Sequence, residues 1–219
     1  MKLKKVAALC GQKGVFILFN QVDSDGEVVC QWLSDGIAAY PMAGLPYMDT
    51  DNICAMFDIS EKKQEKLAFR HKNAPESINW DDTDPSERQL GDPKLCVRYE
   101  CRELLPLRTS EGIVFIQEKY LAPLDNLDYM RLYERRSTGG VYIVAKVGMM
   151  IQAVIMPMDV VNEGFVDQMD DLTDMCRAAL VKKNRMKTER DREDRDQGQS
   201  TLFQEGGNAG EGAGEDAVG

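Results

Sequence analysis

Few side chains in this sequence are of the types that do chemistry, and their spacing narrows the chemistry further. There is one histidine, His71, whereas histidine-based nucleophile activation and most imidazole metal centres draw on further partners of the same kind. The six cysteines are Cys10, Cys30, Cys54, Cys96, Cys101 and Cys176. None forms a C-x-x-C pair, and no histidine stands near Cys96 and Cys101, so the spacing argues against zinc. Most lie in apolar segments such as Val28-Val29-Cys30 and Ile53-Cys54-Ala55, where reduced thiols act as small hydrophobes. Asp23-Ser24-Asp25-Gly26 opens like a calcium loop but lacks the later ligands and the closing glutamate, which leaves a turn. Asp81, Asp82 and Asp84 are an acidic cluster of the kind that is ordinarily solvated. No nucleophile elbow, phosphate-binding loop, dinucleotide fingerprint or H-E-x-x-H occurs. The expectation is a non-enzymatic protein with no catalytic residue, no metal ligand and no cofactor.

The sharpest cluster lies near the C-terminus. From residue 187 on, 4 bases stand against 9 acids, and 206–219 is almost wholly Gly, Glu, Ala and Asn. This composition is expected to give a disordered acidic tail. Within it sits Gln199-Ser200-Thr201-Leu202-Phe203. Two large apolar side chains in a polar segment gain nothing unless a partner covers them. Leu202 and Phe203 are expected to enter an apolar groove, and Gln199 to make the hydrogen bonds that fix register. The pentad resembles the peptide by which bacterial proteins dock on the replicative sliding clamp. That resemblance implies the bacterial sliding clamp as partner and Gln199, Leu202 and Phe203 as the partner-binding residues.

The chain has 219 residues, 43 % of them hydrophobic, and a formal charge of −10. That is enough for one ordinary domain with a real core. The acidic balance argues against a generic nucleic-acid-coating surface, and no sequence-specific nucleic-acid contact is expected. No apolar run is long enough to cross a bilayer, and the basic N-terminus lacks a sustained apolar stretch, so no membrane partner and a cytoplasmic location are expected.

The elements follow from pattern. The first sixty residues are read as strands and tight turns. Val6–Cys10 is a short apolar run, and Val15–Phe19, Val28–Trp32 and Ile37–Tyr40 form an antiparallel meander. Asp51–Phe57 is a short helix with its cap at Asp49, Thr50 or Asp51. Residues 60–94 are a polar insertion, with a polar helix over Glu61–Arg70 and a surface excursion beyond it. Cys96–Arg102 alternates as a half-buried strand. Strand Ile113–Ile116, a helix over Glu118–Leu127, strand Tyr129–Tyr133 and a hairpin of Val141–Ala145 with Met149–Met156 follow. Asn162 caps an amphipathic helix whose apolar stripe (Phe165, Val166, Met169, Leu172, Met175, Cys176, Leu180) is expected to dock on the sheet, a partner helix being its other use. Its acids lie toward the front and its bases toward the back, matching the helix dipole.

Residues 113–158 carry a second resemblance. Ile113-Val114-Phe115-Ile116-Gln117-Glu118-Lys119-Tyr120-Leu121, then Leu124 and Leu127, then Met130-Arg131-Leu132-Tyr133, and finally Ala153-Val154-Ile155-Met156-Pro157-Met158 run strand, short helix and three strands. This is similar to the last half-domain of the bacterial sliding clamp, the beta subunit of the replicative polymerase. Leu33-Ser34-Asp35-Gly36-Ile37-Ala38-Ala39-Tyr40 is faintly similar to the clamp's Thr-Asp-Gly turn. The sequence departs from clamps in having room for one such domain and in short helices rich in Asp49, Asp51, Asp125 and Asp128, with Lys119 almost alone. That composition argues against encircling DNA.

The fold class expected is α+β, mainly antiparallel sheet with short helices, of single DNA-clamp-like domain type or an unrelated antiparallel α+β domain. The expected organisation is a domain over 1–158 with its insertion at 60–94, an amphipathic helix over 159–186, and a tail over 187–219. The function expected is that of a replication-associated protein of a bacterium, phage or mobile element that docks on the sliding clamp. The alternative is an acidic interaction or inhibitor protein that mimics nucleic acid or blocks a host nucleic-acid enzyme. Homo-oligomerisation is left open.

Overall fold

A computed structural model describes the backbone of residues 1–204 and the side chains of residues 1–192. The chain divides into two compact units, Met1–Asp159 and Val160 onward. The first is an α+β unit built mainly of antiparallel sheet, as its composition predicts.

The unit opens with helix α1, Leu3–Lys13, where a strand was expected at 6–10. Leu3, Val6 and Cys10 recur at helical spacing, Val6, Leu9 and Cys10 are buried, and Gly14 at φ 75° ends the helix with its N–H on the carbonyls of Cys10 and Gly11. The meander follows as β1 (Val15–Val22), β2 (Val28–Ser34) and β3 (Ala38–Pro41). Its first turn is tied by Asp23, whose Oδ1 accepts from the N–H groups of Asp25 and Glu27 at 3.0 and 2.9 Å. Helix α2, Thr50–Met56, has Asp49 as its cap, accepting from Asn52 N–H at 2.8 Å.

The helix expected over Glu61–Arg70 is cut to one turn, α3 (Glu61–Gln64), and the chain then forms strand β4, Ala68–Asn73, parallel to β1. Phe69 stacks on Phe16 with ring centroids 5.3 Å apart, so packing decides against the helix. Short β5, Arg88–Gln89, pairs with the far edge of the main sheet. The single strand expected over Cys96–Arg102 is a hairpin. β6 (Val97–Tyr99) and β7 (Arg102–Thr109) are joined by Glu100 and Cys101 at φ 46° and 61°, and β8 (Gly112–Gln117) completes a three-stranded sheet. In place of a helix over Glu118–Leu127 stand two 3-10 turns, Glu118–Tyr120 and Ala122–Leu124, where Pro123 has no N–H to continue an α-helical ladder. Strands β9 (Met130–Ser137), β10 (Gly140–Val147) and β11 (Met150–Ile155) close the unit.

The main sheet runs β4-β1-β2-β3-β11-β10-β9-β5. Its six central strands form two meanders, each preceded by helical turns: α1 before β1-β2-β3, and the 3-10 pair before β9-β10-β11. The meanders join through antiparallel pairing of β3 with β11, Ala39 with Val154 and Ala38 with Ile155. The two halves thus share one order of elements, helical turns followed by three antiparallel strands. The two helical segments also touch, with Lys2 N–H on the Pro123 carbonyl at 2.7 Å. One face of the sheet packs against them through Val6, Leu33, Tyr40, Ile143 and Ile155. The other carries Trp32, Trp80, Tyr142, Val144 and Val154. β10 is buried on both faces.

The second unit is dominated by helix α4, Glu163–Gln204. Asn162 caps it, its Oδ1 accepting from Phe165 N–H at 3.0 Å. The helix expected to end at Met186 continues through residues assigned to the tail. Phe165 is buried, and Leu172, Met175, Leu180, Val181 and Met186 are exposed.

Candidate functional site

Gln199, Leu202 and Phe203 fall in the last turns of the α4 backbone, and their side chains lie outside the described residues. Their setting is a polar stretch of helix, remote in sequence from the core-forming segments.

In the first unit the polar insertion is fastened to the outer sheet face. The Arg135 guanidinium, wholly buried, sits in a ring of acceptors: the carbonyls of Asn79, Asp81 and Asp82 at 3.1, 2.7 and 3.0 Å, and the Glu87 carboxylate at 2.6 Å. Lys146 joins the ring through Glu87 at 2.7 Å and the Asp82 carbonyl at 2.9 Å. Trp80 is driven under the loop against Trp32, 4.9 Å between centroids. The surface excursion expected beyond Arg70 is therefore anchored to the sheet through Trp80 and the Arg135 ring.

The acids of this loop are engaged as fasteners. Asp82 accepts from Ile151 N–H at 2.8 Å, Asp81 from Gln21 at 3.1 Å, and Asp84 from Ser86 and Asn79. Burial acts to raise the Asp84 pKa, but the Ser86 and Asn79 hydrogen bonds and Arg135 hold it below the ordinary value. Among the described residues no three His, Cys, Asp or Glu side chains converge as a metal site. His71 is at the sheet edge, its Nε2 3.0 Å from Thr50 Oγ1.

On the helix side, Asp35 is buried and fully used. One oxygen takes the N–H groups of Ile37 and Ala38, and the other takes the Tyr120 hydroxyl at 3.0 Å. Tyr40 donates to the Tyr120 carbonyl at 2.7 Å. Burial, with the Asp35 charge second, pushes the nearby Cys10 thiol up to about 12, and the same causes raise both tyrosines. Cys10 is thus a protonated core residue, as its apolar context predicts, and the same network holds the 3-10 turns onto β3.

Two of the concave surfaces among the described residues adjoin these networks. Where β3 ends, the main sheet parts, and an open cleft of about 460 Å³ runs between β2 and β11, lined by Cys30, Trp32, Met42, Trp80, Met150 and Ile151 among others. A second recess of about 460 Å³ gathers Lys13, Arg98, Arg102 and Lys119 with Glu103 beside Tyr120 and Gln117. Reading α1 as a strand hid the helical lysines: Lys2 and Lys5 pair with Asp125 at 2.6 and 2.5 Å, while Lys4 and Lys13 have no ion-pair partner among the described residues. The Arg135 ring was also missed. Its only trace in the sequence is the consecutive charges Glu134-Arg135-Arg136 inside a strand, a pattern that needs buried partners.

No protein-family model, curated protein or solved structure matches the chain.

Proposed function

We propose that the chain is a non-enzymatic replication-associated protein of a bacterium, phage or mobile element that docks on the bacterial sliding clamp through Gln199, Leu202 and Phe203. The observation that carries this reading is the pentad itself, an amide three positions ahead of an adjacent Leu-Phe pair, in a stretch otherwise rich in charge. Such a pair supplies the apolar anchors of a small interface, and the amide supplies its direction. For the core we propose a clamp-like domain. The two meanders, each led by helical turns and joined edge to edge at β3 and β11, support it. Within that reading, Asp35 of the Ser34-Asp35-Gly36 turn ties the second repeat's helical turn to the first repeat's strand through Tyr120.

The test is binding of the full chain to a purified bacterial sliding clamp by titration calorimetry. Leu202→Ala with Phe203→Ala is expected to weaken binding by about thirty-fold or more, the scale of losing a hot-spot pair. Gln199→Ala is expected to have a smaller effect. Equal affinity of wild type and double variant, or no binding by either, overturns the proposal.

A further inference from the structure

Helix α4 poses a physical problem by itself. It is 42 residues long, and every residue from Asp170 to Arg192 is exposed. Helices rarely persist at such length without a covered face. Its side chains are nevertheless sorted. Phe165, Met169, Leu172, Cys176, Ala179, Lys183 and Met186 follow one another at alternating steps of four and three, the spacing of a coiled-coil seam. Val166, Met175 and Leu180 widen the same face. Leu172, Met175 and Leu180 are 47, 64 and 58 % exposed, so from Val166 to Met186 an apolar strip about 30 Å long stands open.

Charge identifies what fits it. Residues 163–176 hold five acids (Glu163, Asp167, Asp170, Asp171, Asp174) and no base, and residues 177–188 hold five bases (Arg177, Lys182, Lys183, Arg185, Lys187) and no acid. The helix is therefore its own complement when reversed. A parallel copy would set the acidic half beside an acidic half and the basic half beside a basic half. An antiparallel copy matches both, within the distance over which charges act at ordinary salt. The lone Lys183 in the seam selects one pairing over larger assemblies, as buried polar seam residues do.

We propose that α4 pairs antiparallel with α4 of a second copy, through Met169, Leu172, Met175, Cys176 and Leu180, so that the protein is a dimer. This inference does not rest on the clamp-docking reading, and Leu202→Ala with Phe203→Ala is expected to leave the dimer intact.

Sedimentation of the full chain tests the association. A concentration-dependent dimer is expected, with Leu172→Asp plus Leu180→Asp weakening it by about a hundred-fold or more. Both side chains are exposed, so the core's thermal transition serves as the control for folding. A wild type that stays monomeric overturns the proposal, whether the face then covers the chain's own sheet or another protein. So does a double variant that dimerises like wild type. Orientation is tested by a short bis-maleimide in a chain with Cys96→Ser and Cys101→Ser. Cys176, at the middle of the strip, is expected to cross-link to its copy. Moving the thiol to the strip's end, with Cys176→Ser and Met186→Cys, is expected to abolish the cross-link, because reversed helices carry those positions about 30 Å apart. Cross-linking through residue 186 shows parallel pairing and overturns the proposal.

Discussion

Arg135 holds more of the polar insertion than any other side chain. Its guanidinium satisfies three backbone carbonyls and a carboxylate in a site closed to water. Arg135→Met keeps the stem and removes the donors, taking the Asp81 carbonyl's partner away and leaving Glu87 and the Asp82 carbonyl to Lys146 alone. The expected loss is about 3–5 kcal/mol in urea unfolding, the scale for removing one member of a buried pair. Glu134, next in the strand, gives a pH-dependent counterpart. Burial acts to raise its pKa, but hydrogen bonds from Ser110 and Arg88 hold it below the ordinary carboxylate value. A carboxylate depressed on folding stabilises the fold above its unfolded pKa, and that stability is lost as pH falls through the folded pKa. Denaturation measured from pH 7 downward is expected to show Glu134→Gln less stable than wild type at neutral pH. The gap should begin to narrow as pH falls through about 4.3, the ordinary glutamate value, and be lost at lower pH as the folded carboxylate protonates too.

At the scale of elements, what could be read from the sequence depended on whether local pattern and tertiary packing agreed. The β1–β3 meander, the β10–β11 hairpin and the caps Asp49 and Asn162 agree, and the structure carries all of them. α1 was hidden because Val6-Ala7-Ala8-Leu9-Cys10 is apolar throughout, and a short run of that kind does not separate a strand from a buried helix. β4 was hidden because its partner β1 lies some fifty residues earlier, and a charged segment such as Arg70-His71-Lys72 becomes a strand only on an open sheet edge. The Arg135 ring was invisible for a like reason, since five of its six participants come from other segments. The β6–β7 hairpin failed most sharply. Glu100 and Cys101 both sit at positive φ, a geometry normally given to Asn-Gly. Glu100→Asn with Cys101→Gly is expected to stabilise the protein by about 1 kcal/mol by relieving that backbone cost, read as a rise in the thermal midpoint. An unchanged or lower midpoint would show that the two residues are not strained there.

At the scale of the whole molecule, folding and the proposed docking fall on different stretches of chain. The buried core lies almost entirely in Met1–Asp159, where the two meanders close a sheet buried on both faces at its centre. Beyond Phe165 no described residue is buried. Large changes in exposed residues far from a core cost little stability. A chain ended after Asp167, which keeps the Asn162 cap and Phe165, is therefore expected to unfold in one cooperative transition with a midpoint within a few degrees of the full chain. It is also expected to lose binding to the sliding clamp, because Gln199, Leu202 and Phe203 are gone, and to sediment as a monomer, because α4 is gone. The three readouts separate the causes. A shortened chain that melts early shows that α4 supports the core. One that still binds the clamp places the docking surface on the sheet, where the cleft between β2 and β11 is then the first place to substitute. One that still dimerises moves the self-association surface to the same unit.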